Sequence, residues 1–200
     1  MADLEICLGV PDGHRQEAAQ IYFEIFEHKF RLLFGSREHA ISVLHQDLNL
    51  ACAFGAVWQE RLVGILGLHH EGRLADLRLQ TFVKEYNWLS GRVRHQIYQW
   101  SERPQRPGEL LMDGVGVDRA SQGLGVGTAL FHALFDFART NGYTSIRLDV
   151  VDTNPRARRL YERLGFVPTN TWRLPPIIRS FMGYTVLTTM IKQIGSPDAA

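Results

Sequence analysis

The stretch RASQGLGVGT, residues 119–128, decides the fold. The apolar run LLMDGVGV at 110–117 precedes it and predicts a strand, and apolar residues at helical spacing follow over 128–140. Glycines adopt backbone conformations closed to other residues and let a ligand approach without meeting a Cβ. The first amides of a helix lack internal partners and attract anions. The segment therefore predicts a loop that binds a phosphate or pyrophosphate.

Two widespread phosphate-binding patterns are absent from this loop. The dinucleotide fingerprint GxGxxG would need glycine where the chain has Thr128, counting from Gly123, or Leu130, counting from Gly125. The Walker A pattern needs a Gly-Lys-Ser/Thr run, and no lysine lies near. These mismatches disfavour a nicotinamide-dependent oxidoreductase and a P-loop nucleotidase. A glycine-rich turn with a purely structural role stays an alternative.

Two motifs, QGLGVG at 122–127 and NPRARRLYERLGF at 154–166, together resemble a known family. The first matches the Gln/Arg-x-x-Gly-x-Gly/Ala coenzyme A motif of the GNAT superfamily of N-acetyltransferases, and the second is similar to that family's second signature. The order of strand, loop, helix, strand and helix also agrees. The resemblance is strongest over residues 110–168, which is less than a third of the chain.

The resemblance implies a fold, a reaction and a co-substrate. The fold is an α/β (α+β) domain of GNAT type, with a mixed, mostly antiparallel central sheet flanked by helices and two splayed parallel strands. The reaction is transfer of an acetyl group from acetyl-CoA to an amine, by direct attack in a ternary complex. The resemblance assigns the pyrophosphate to a loop of seven residues: Gln122, Gly123, Leu124, Gly125, Val126, Gly127 and Thr128.

The same resemblance assigns the pantetheine arm to backbone amides of Val115 and Val117 between the splayed strands, in the manner of strand addition. The Val117 amide would also stabilise the oxyanion that develops on the thioester carbonyl. Gly114 and Gly116 suit a bulge or a close backbone approach in this strand. Packing relief alone is the alternative for these two glycines.

Asn154 and Tyr161 each have a structural and a functional interpretation. Asn154 suits a helix N-cap, followed by Pro155 at the first helical position, and its side chain can also face the cofactor. Tyr161 fits the apolar face of that helix as a core residue. The resemblance instead makes Tyr161 the general acid that protonates the departing coenzyme A thiolate.

The general base is left open by the sequence. Members of the family often use a glutamate on the strand before the loop, but the matching position here is about Leu111. Asp113, two residues further on, is the first choice for a base that acts through water. The alternatives are Glu109, two residues earlier, and the adjacent histidines His69 and His70 at the end of the preceding strand.

The rest of the chain fits one domain over residues 1–195 with a tail at 196–200. Residues 71–108 are interpreted as an insertion with two short helices, whose basic side chains form a solvated face or, alternatively, a lid for a carboxylate-bearing acceptor. The other predicted strands are 4–10, 51–58, 62–69, 145–151, 166–171 and 182–192, and the other helices are 15–34, 38–48 and 154–164.

The composition excludes several classes of protein. The 200 residues carry 22 basic and 21 acidic side chains, a balance that argues against nucleic acid as a partner. Neither a signal peptide nor a membrane span is predicted, so we expect a cytoplasmic protein without a membrane role. The histidines show no metal-ligand spacing, and the two cysteines are too few for a disulfide framework.

The sequence does not identify the acceptor. A small-molecule amine is the first expectation, and a protein N-terminus or lysine is the second. A homodimer is possible, and the use of longer acyl groups is left open. A non-catalytic coenzyme A-binding sensor or interaction module is the alternative function.

Overall fold

The computed structural model describes residues 3–195, apart from the side chains at positions 101, 177, 180 and 181. The strands are β1 (Leu4–Leu8), β2 (Ala53–Trp58), β3 (Arg61–His69), β4 (Glu109–Val117), β5 (Ser145–Val151), β6 (Val167–Arg173) and β7 (Val186–Gln193). The helices are α1 (Arg15–Ile25), α2 (Glu27–Phe34), α3 (Arg37–Asp47), α4 (Leu79–Glu85), α5 (Trp88–Ser101), α6 (Val126–Thr140), α7 (Pro155–Arg163) and α8 (Pro176–Met182).

The seven strands form one sheet in the order β1-β2-β3-β4-β5-β7-β6. The β4–β5 pair is parallel and the other neighbours are antiparallel, which confirms the mixed, mostly antiparallel sheet. Adjacent residues of β3 belong to different buried clusters, because side chains alternate between the faces of a strand. Ile65 packs with α1 to α5, and Leu66 packs with α6 and α7.

The parallel strands β4 and β5 are paired along only part of their length. Their pairing covers Glu109 to Leu111 on β4 and ends at Arg147 on β5. Strand β4 nevertheless continues to Val117, and β5 continues to pair with β7 as far as Val151. The structure therefore contains the splayed parallel pair that the resemblance implies.

A bulge in β4 lies at Asp113. Gly67 of β3 pairs with Gly114 and the next residue, Leu68, pairs with Met112, so Asp113 is the extra residue. The glycines that follow it are explained by packing. A Cβ on Gly114 would lie 2.8 Å from the Phe26 ring, so helix α1 and the residue after it crowd this strand from one face. The predicted bulge is present. The close approach to β4 is made by side chains from the end of α1 and from Phe26.

Helix packing also corrects two predictions about the first half of the chain. The helix predicted over 15–34 is broken at Phe26, whose φ of −123° and ψ of 35° are not helical. The Phe26 ring lies over Gly114 at this break, and α2 begins at the next residue. In the segment 71–108, α4 is short as predicted, but α5 has 14 residues. Phe82 and Tyr98 of these helices are buried in the same cluster as α1 and α2.

The strand predicted over 182–192 is wrong at its start. Residues Pro176–Met182 form α8, and β7 begins only at Val186. The prolines at 175 and 176 explain the difference, because proline suits the first turn of a helix as well as the end of a strand. The strand predicted at 145–151 matches β5 at both ends. The tail predicted at 196–200 lies outside the described residues.

Candidate active site

A cleft of about 710 Å³ opens where β4 and β5 part. Asp113 and Val115 line it from β4, and Val150 lines it from β5. Asn154 and Tyr161 complete this part of the wall. The volume falls in the range of small-molecule sites. Four of the residues that the sequence singled out are thus brought together in one concave site.

The backbone amides of Val115 and Val117 point toward the open side of β4. Asp118 donates its N–H to the Val63 carbonyl at 2.8 Å, so Asp118 faces β3. Backbone groups alternate sides along an extended strand, so the groups of Val117 and Val115 are directed away from β3, toward the side where β5 has parted. Gln122 Nε2 bonds the Val117 carbonyl at 3.1 Å, which agrees with this orientation. Val117 itself is not among the residues that line the cleft.

The glycine-rich loop has the conformation that its sequence predicts. Gly123 and Gly125 both have a φ of +87°, in the left-handed region that favours glycine. Gly125 caps the N-terminus of α6, and a Cβ built on it would meet nothing within 4 Å. Val126 is buried in the core, and Thr128 lies in the first turn of the helix. The loop therefore leaves room for a ligand in front of the first amides of α6.

Gln122 links the loop to its surroundings. Its Oε1 accepts a hydrogen bond from Arg156 Nη1 at 2.7 Å, while its Nε2 bonds β4. Arg156 stands at the start of α7 and places beside Gly123 a cation that the motifs alone did not indicate. A Cβ on Gly127 would lie 3.6 Å from Leu160, an ordinary contact distance, so packing does not require glycine at this position. Leu124 is exposed, and the residues 122–128 lie outside the cleft lining.

Asn154 performs the structural role and also faces the cleft. Its Oδ1 accepts a hydrogen bond from the Ala157 N–H at 3.0 Å, which is N-cap geometry, and Pro155 occupies the first helical position. The same residue lines the cleft wall. Both interpretations of Asn154 are therefore compatible with the geometry.

Tyr161 is a buried tyrosine that borders the cleft. Its ring packs against Phe131 and Phe166, with centroid distances of 5.5 and 6.1 Å. Burial raises the pKa of Tyr161, because the phenolate form is disfavoured away from water. The side chain thus holds its proton at neutral pH, which is what a general acid requires.

Asp113 is held by groups from two other elements. The Tyr22 hydroxyl of α1 donates a hydrogen bond to Asp113 Oδ2 at 2.5 Å, and His69 Nε2 lies 3.9 Å from Asp113 Oδ1. Burial raises the pKa of Asp113, but His69, Tyr22 and the charge of Lys29 together outweigh it, so the pKa is lowered overall. Asp113 is therefore a carboxylate at neutral pH.

His69 is the second polar group at this point of the cleft. Its Nε2 is buried without a hydrogen-bond partner in the part of the chain that the structure describes. The separation of 3.9 Å from Asp113 is too long for a direct hydrogen bond. The sequence indicates Asp113 and His69 as separate candidates, and the structure brings them together.

Glu109 and His70, which the sequence also left open as bases, have structural partners instead. Glu109 bonds Arg147 Nε at 2.7 Å, and both side chains are buried. His70 contacts the Tyr143 hydroxyl at 2.8 Å, and neither Glu109 nor His70 lines the cleft. Leu111, at the position where the family often has glutamate, lines the cleft without a polar group.

The described residues 3–195 hold no cluster of three or more potential metal ligands. Over the same range, no helix combines the length and the apolar character needed to cross a bilayer. The two cysteines are free, and burial raises the pKa of both Cys7 and Cys52. These thiols are therefore poor nucleophiles.

The splayed strands, the cleft where they part and the open loop at a helix start agree with the arrangement expected of an acetyltransferase of the GNAT class. The chain belongs to the acetyltransferase (GNAT) family, whose model matches residues 15–166, more than half of the sequence. Among curated proteins it is similar to a probable N-acetyltransferase camello from Xenopus tropicalis, with 33% identity over 78 residues. That match covers 39% of this chain and only 36% of the relative, about a third of its length.

Solved structures show the same fold at low sequence identity. The ribosomal-protein-S18-alanine N-acetyltransferase from Escherichia coli aligns with a TM-score of 0.60 and 16% identity, over 99% of both chains. A putative streptothricin acetyltransferase from Bacillus anthracis, in complex with acetyl coenzyme A, aligns with a TM-score of 0.50 and 15% identity, over 72% of this chain and 63% of that one. This chain therefore shares its fold with a protein whose structure was solved in complex with acetyl coenzyme A.

Proposed function

We propose that this protein transfers an acetyl group from acetyl-CoA to an amine by direct attack in a ternary complex. The observation that carries the proposal is the open edge of β4. It directs the amides of Val115 and Val117 to the side where β5 has parted, and Val115 lines a cleft that also contains Tyr161 and Asp113. An unpaired strand edge inside a cleft suits the amide-bearing pantetheine arm.

Residues 122–128 would hold the pyrophosphate of the co-substrate. The first amides of α6 are free to donate hydrogen bonds, and the positive end of the helix attracts negative charge. The open space in front of Gly125 and the neighbouring Arg156 guanidinium support this assignment. Asn154 would face the arm further along the cleft.

Each bond change in the transfer has a candidate group. The amine nitrogen attacks the thioester carbonyl, so that a C–N bond forms while the Val117 N–H stabilises the oxygen anion. The C–S bond then breaks, and Tyr161 donates its proton to the departing thiolate. The excess proton of the amine passes through water to the base. The products are an acetylated amine and the coenzyme thiol.

We assign the base to Asp113 together with His69. A carboxylate with a lowered pKa is by itself a weak base, since it accepts a proton reluctantly at neutral pH. A water between His69 Nε2 and Asp113 Oδ1 would satisfy the unpartnered nitrogen and connect the two groups. The bond from Tyr22 fixes the carboxylate in place.

The acceptor is proposed only as a class. A small-molecule amine is the first choice, and a protein amine is the second. The Escherichia coli neighbour is named for an alanine of a ribosomal protein, which supports keeping the second class. A cytoplasmic location and a homodimer also stay predictions.

Calorimetric titration with acetyl-CoA tests the proposal. Wild-type protein should bind acetyl-CoA, and Gly125→Glu should abolish binding, because it places bulk and negative charge at the pyrophosphate site. Gly142→Glu is the matched control, since Gly142 has a φ of +72°, equally open surroundings and a place at the other end of α6. NADH should not bind. Failure of folded wild-type protein to bind acetyl-CoA would contradict the proposal.

A further inference from the structure

Two exposed tryptophans line the same cleft as Asp113 and Tyr161. Trp100 comes from α5 and is 61% exposed, and Trp172 comes from β6 and is 56% exposed. Large aromatic surface left in contact with water is costly, and covering it with a ligand recovers that free energy. The tryptophan pair, Trp100 and Trp172, is therefore a candidate surface for a ligand of the cleft.

The charged side chains around the tryptophan pair are largely neutralised already. Four ion pairs involve residues of the cleft: Lys29 with Glu102 at 3.0 Å, Arg103 with Asp149 at 3.2 Å, Glu27 with Arg31 at 2.8 Å and Glu24 with Arg37 at 3.1 Å. Within the described residues, Arg173 is the arginine of the cleft wall without an ion pair. The carboxylates of these four pairs therefore offer little attraction for a second positive charge on a ligand.

The remaining wall near β6 is mostly apolar, with the Arg173 guanidinium as its charged group. Leu174, Pro175, Ile178 and Leu187 line it together with the tryptophan pair. A lid for a carboxylate-bearing acceptor would need unpaired basic residues from the segment 71–108. Among the described residues of that segment, Arg103 is the basic side chain that lines the cleft, and it forms an ion pair with Asp149. The composition of this wall favours an apolar body over a charged one.

We propose that the acceptor is a primary amine attached to an aromatic or bulky apolar body, which binds against Trp100 and Trp172. The proposal rests on the proposed function, because it assigns the acceptor side of the same cleft. The amine then extends toward Asp113 and His69, which border the same cavity. The tryptophan rings supply affinity through apolar and aromatic contact with the body of the acceptor.

Helix α5 provides a control within the same element. Trp88 is 62% exposed, as much as the tryptophan pair, but it does not line the cleft. Leu89 and Val93 extend the exposed apolar surface on this helix. If a partner protein or a membrane covered this helix, replacing Trp88 would weaken binding as much as replacing Trp100. If an amine in the cleft is the ligand, only replacement of Trp100 or Trp172 weakens binding.

The test is equilibrium binding of 2-phenylethylamine to the full chain saturated with coenzyme A, measured by calorimetry. Ethanolamine, spermidine and β-alanine serve as polar, polycationic and carboxylate-bearing comparisons. Phenylethylamine should bind about tenfold or more tightly than ethanolamine, because it buries a phenyl ring. Trp100→Ala and Trp172→Ala should each weaken it about 3- to 10-fold, the scale of one aromatic contact. Trp88→Ala should leave it unchanged.

Further variants keep the outcome interpretable. Trp100→Phe and Trp172→Phe retain an aromatic face and should recover most of the affinity, and acetyl-CoA binding should not change in any variant. Tighter binding of β-alanine or spermidine, or equal losses in Trp88→Ala, would overturn the proposal. Acetylation assays separate it from the proposed function. Binding of phenylethylamine without acetylation of any amine would contradict transfer but not the acceptor site.

Discussion

The two halves of strand β4 carry two similar carboxylates with different surroundings. Glu109 lies in the half that is paired with β5, and Arg147 neutralises it at 2.7 Å. Asp113 lies at the bulge that begins the open half, where Tyr22 and His69 hold it beside a cleft. A buried carboxylate by itself therefore says little about function. The two carboxylates differ in whether β5 still pairs with β4 at their position along the strand.

Replacing the paired carboxylate should have the largest effect, and the effect should be on stability. Glu109→Gln leaves the Arg147 charge buried without its partner, so the free energy of unfolding should fall by about 3–5 kcal/mol. Urea denaturation measures the change. The rate of acetyl transfer by folded protein should stay close to that of the wild type.

Glu162→Gln is the matched control for that prediction. Glu162 pairs with Arg158 at 2.9 Å on the surface, where both side chains are nearly half exposed. Loss of an exposed pair should cost less than about 1 kcal/mol. Equal losses of unfolding free energy in Glu109→Gln and Glu162→Gln would contradict the prediction that the buried ion pair of β4 contributes more than an exposed one.

Replacing Tyr161, the proposed general acid beside the open half of β4, should lower the rate of acetyl transfer and not the stability. Tyr161→Phe removes only the hydroxyl, so kcat should fall about 100-fold or more, while acetyl-CoA binding and stability change little. Tyr143→Phe is the control, because it removes a hydroxyl that contacts His70 outside the cleft. Steady-state assays with an amine acceptor measure both. An unchanged rate in Tyr161→Phe would exclude the assigned acid, and absence of turnover in the wild type would favour a non-catalytic binding module.

The smallest expected effect is the pH dependence that Asp113 gives to stability. Its folded pKa lies below the ordinary value of 3.8, so its contribution is present above that value and is lost as pH falls through the folded pKa. Asp113→Asn should therefore lower the free energy of unfolding by about 1 kcal/mol at pH 7, the scale of one typical hydrogen bond. The difference from wild type should vanish in acid, as measured by urea denaturation across pH. A difference that grows in acid would mean that the pKa shift has the opposite sign.

Local motifs allow much of the fold and part of the site to be predicted. The loop at 122–128 and the helix at 154–164 are contiguous in sequence, so their residue types report their own backbone geometry. The β4 bulge also leaves a local signal in its glycines. Their cause, however, is the packing of Phe26 against Gly114 and of Ile21 and Ile25 against Gly116, which no local pattern contains.

Contacts between distant residues could not be predicted. Tyr22 reaches Asp113 across 91 positions, and nothing in the spacing of either residue indicates the other. The same holds for Arg147 beside Glu109, whose pairing depends on strand order. Helix α8 has only seven residues, which are too few to show a clear helical period. The base and the acceptor site were therefore the parts that required the structure.

The most direct test of the central claim is the exchange of individual valine amides, followed by NMR on protein labelled with ¹⁵N-valine. The open half of β4 is proposed to bind acetyl-CoA through the N–H groups of Val115 and Val117. Addition of acetyl-CoA should slow hydrogen exchange and shift the resonances of these two amides, while Val186 at the start of β7 stays unchanged. Saturating acetyl-CoA that leaves Val115 and Val117 unaffected would contradict the account.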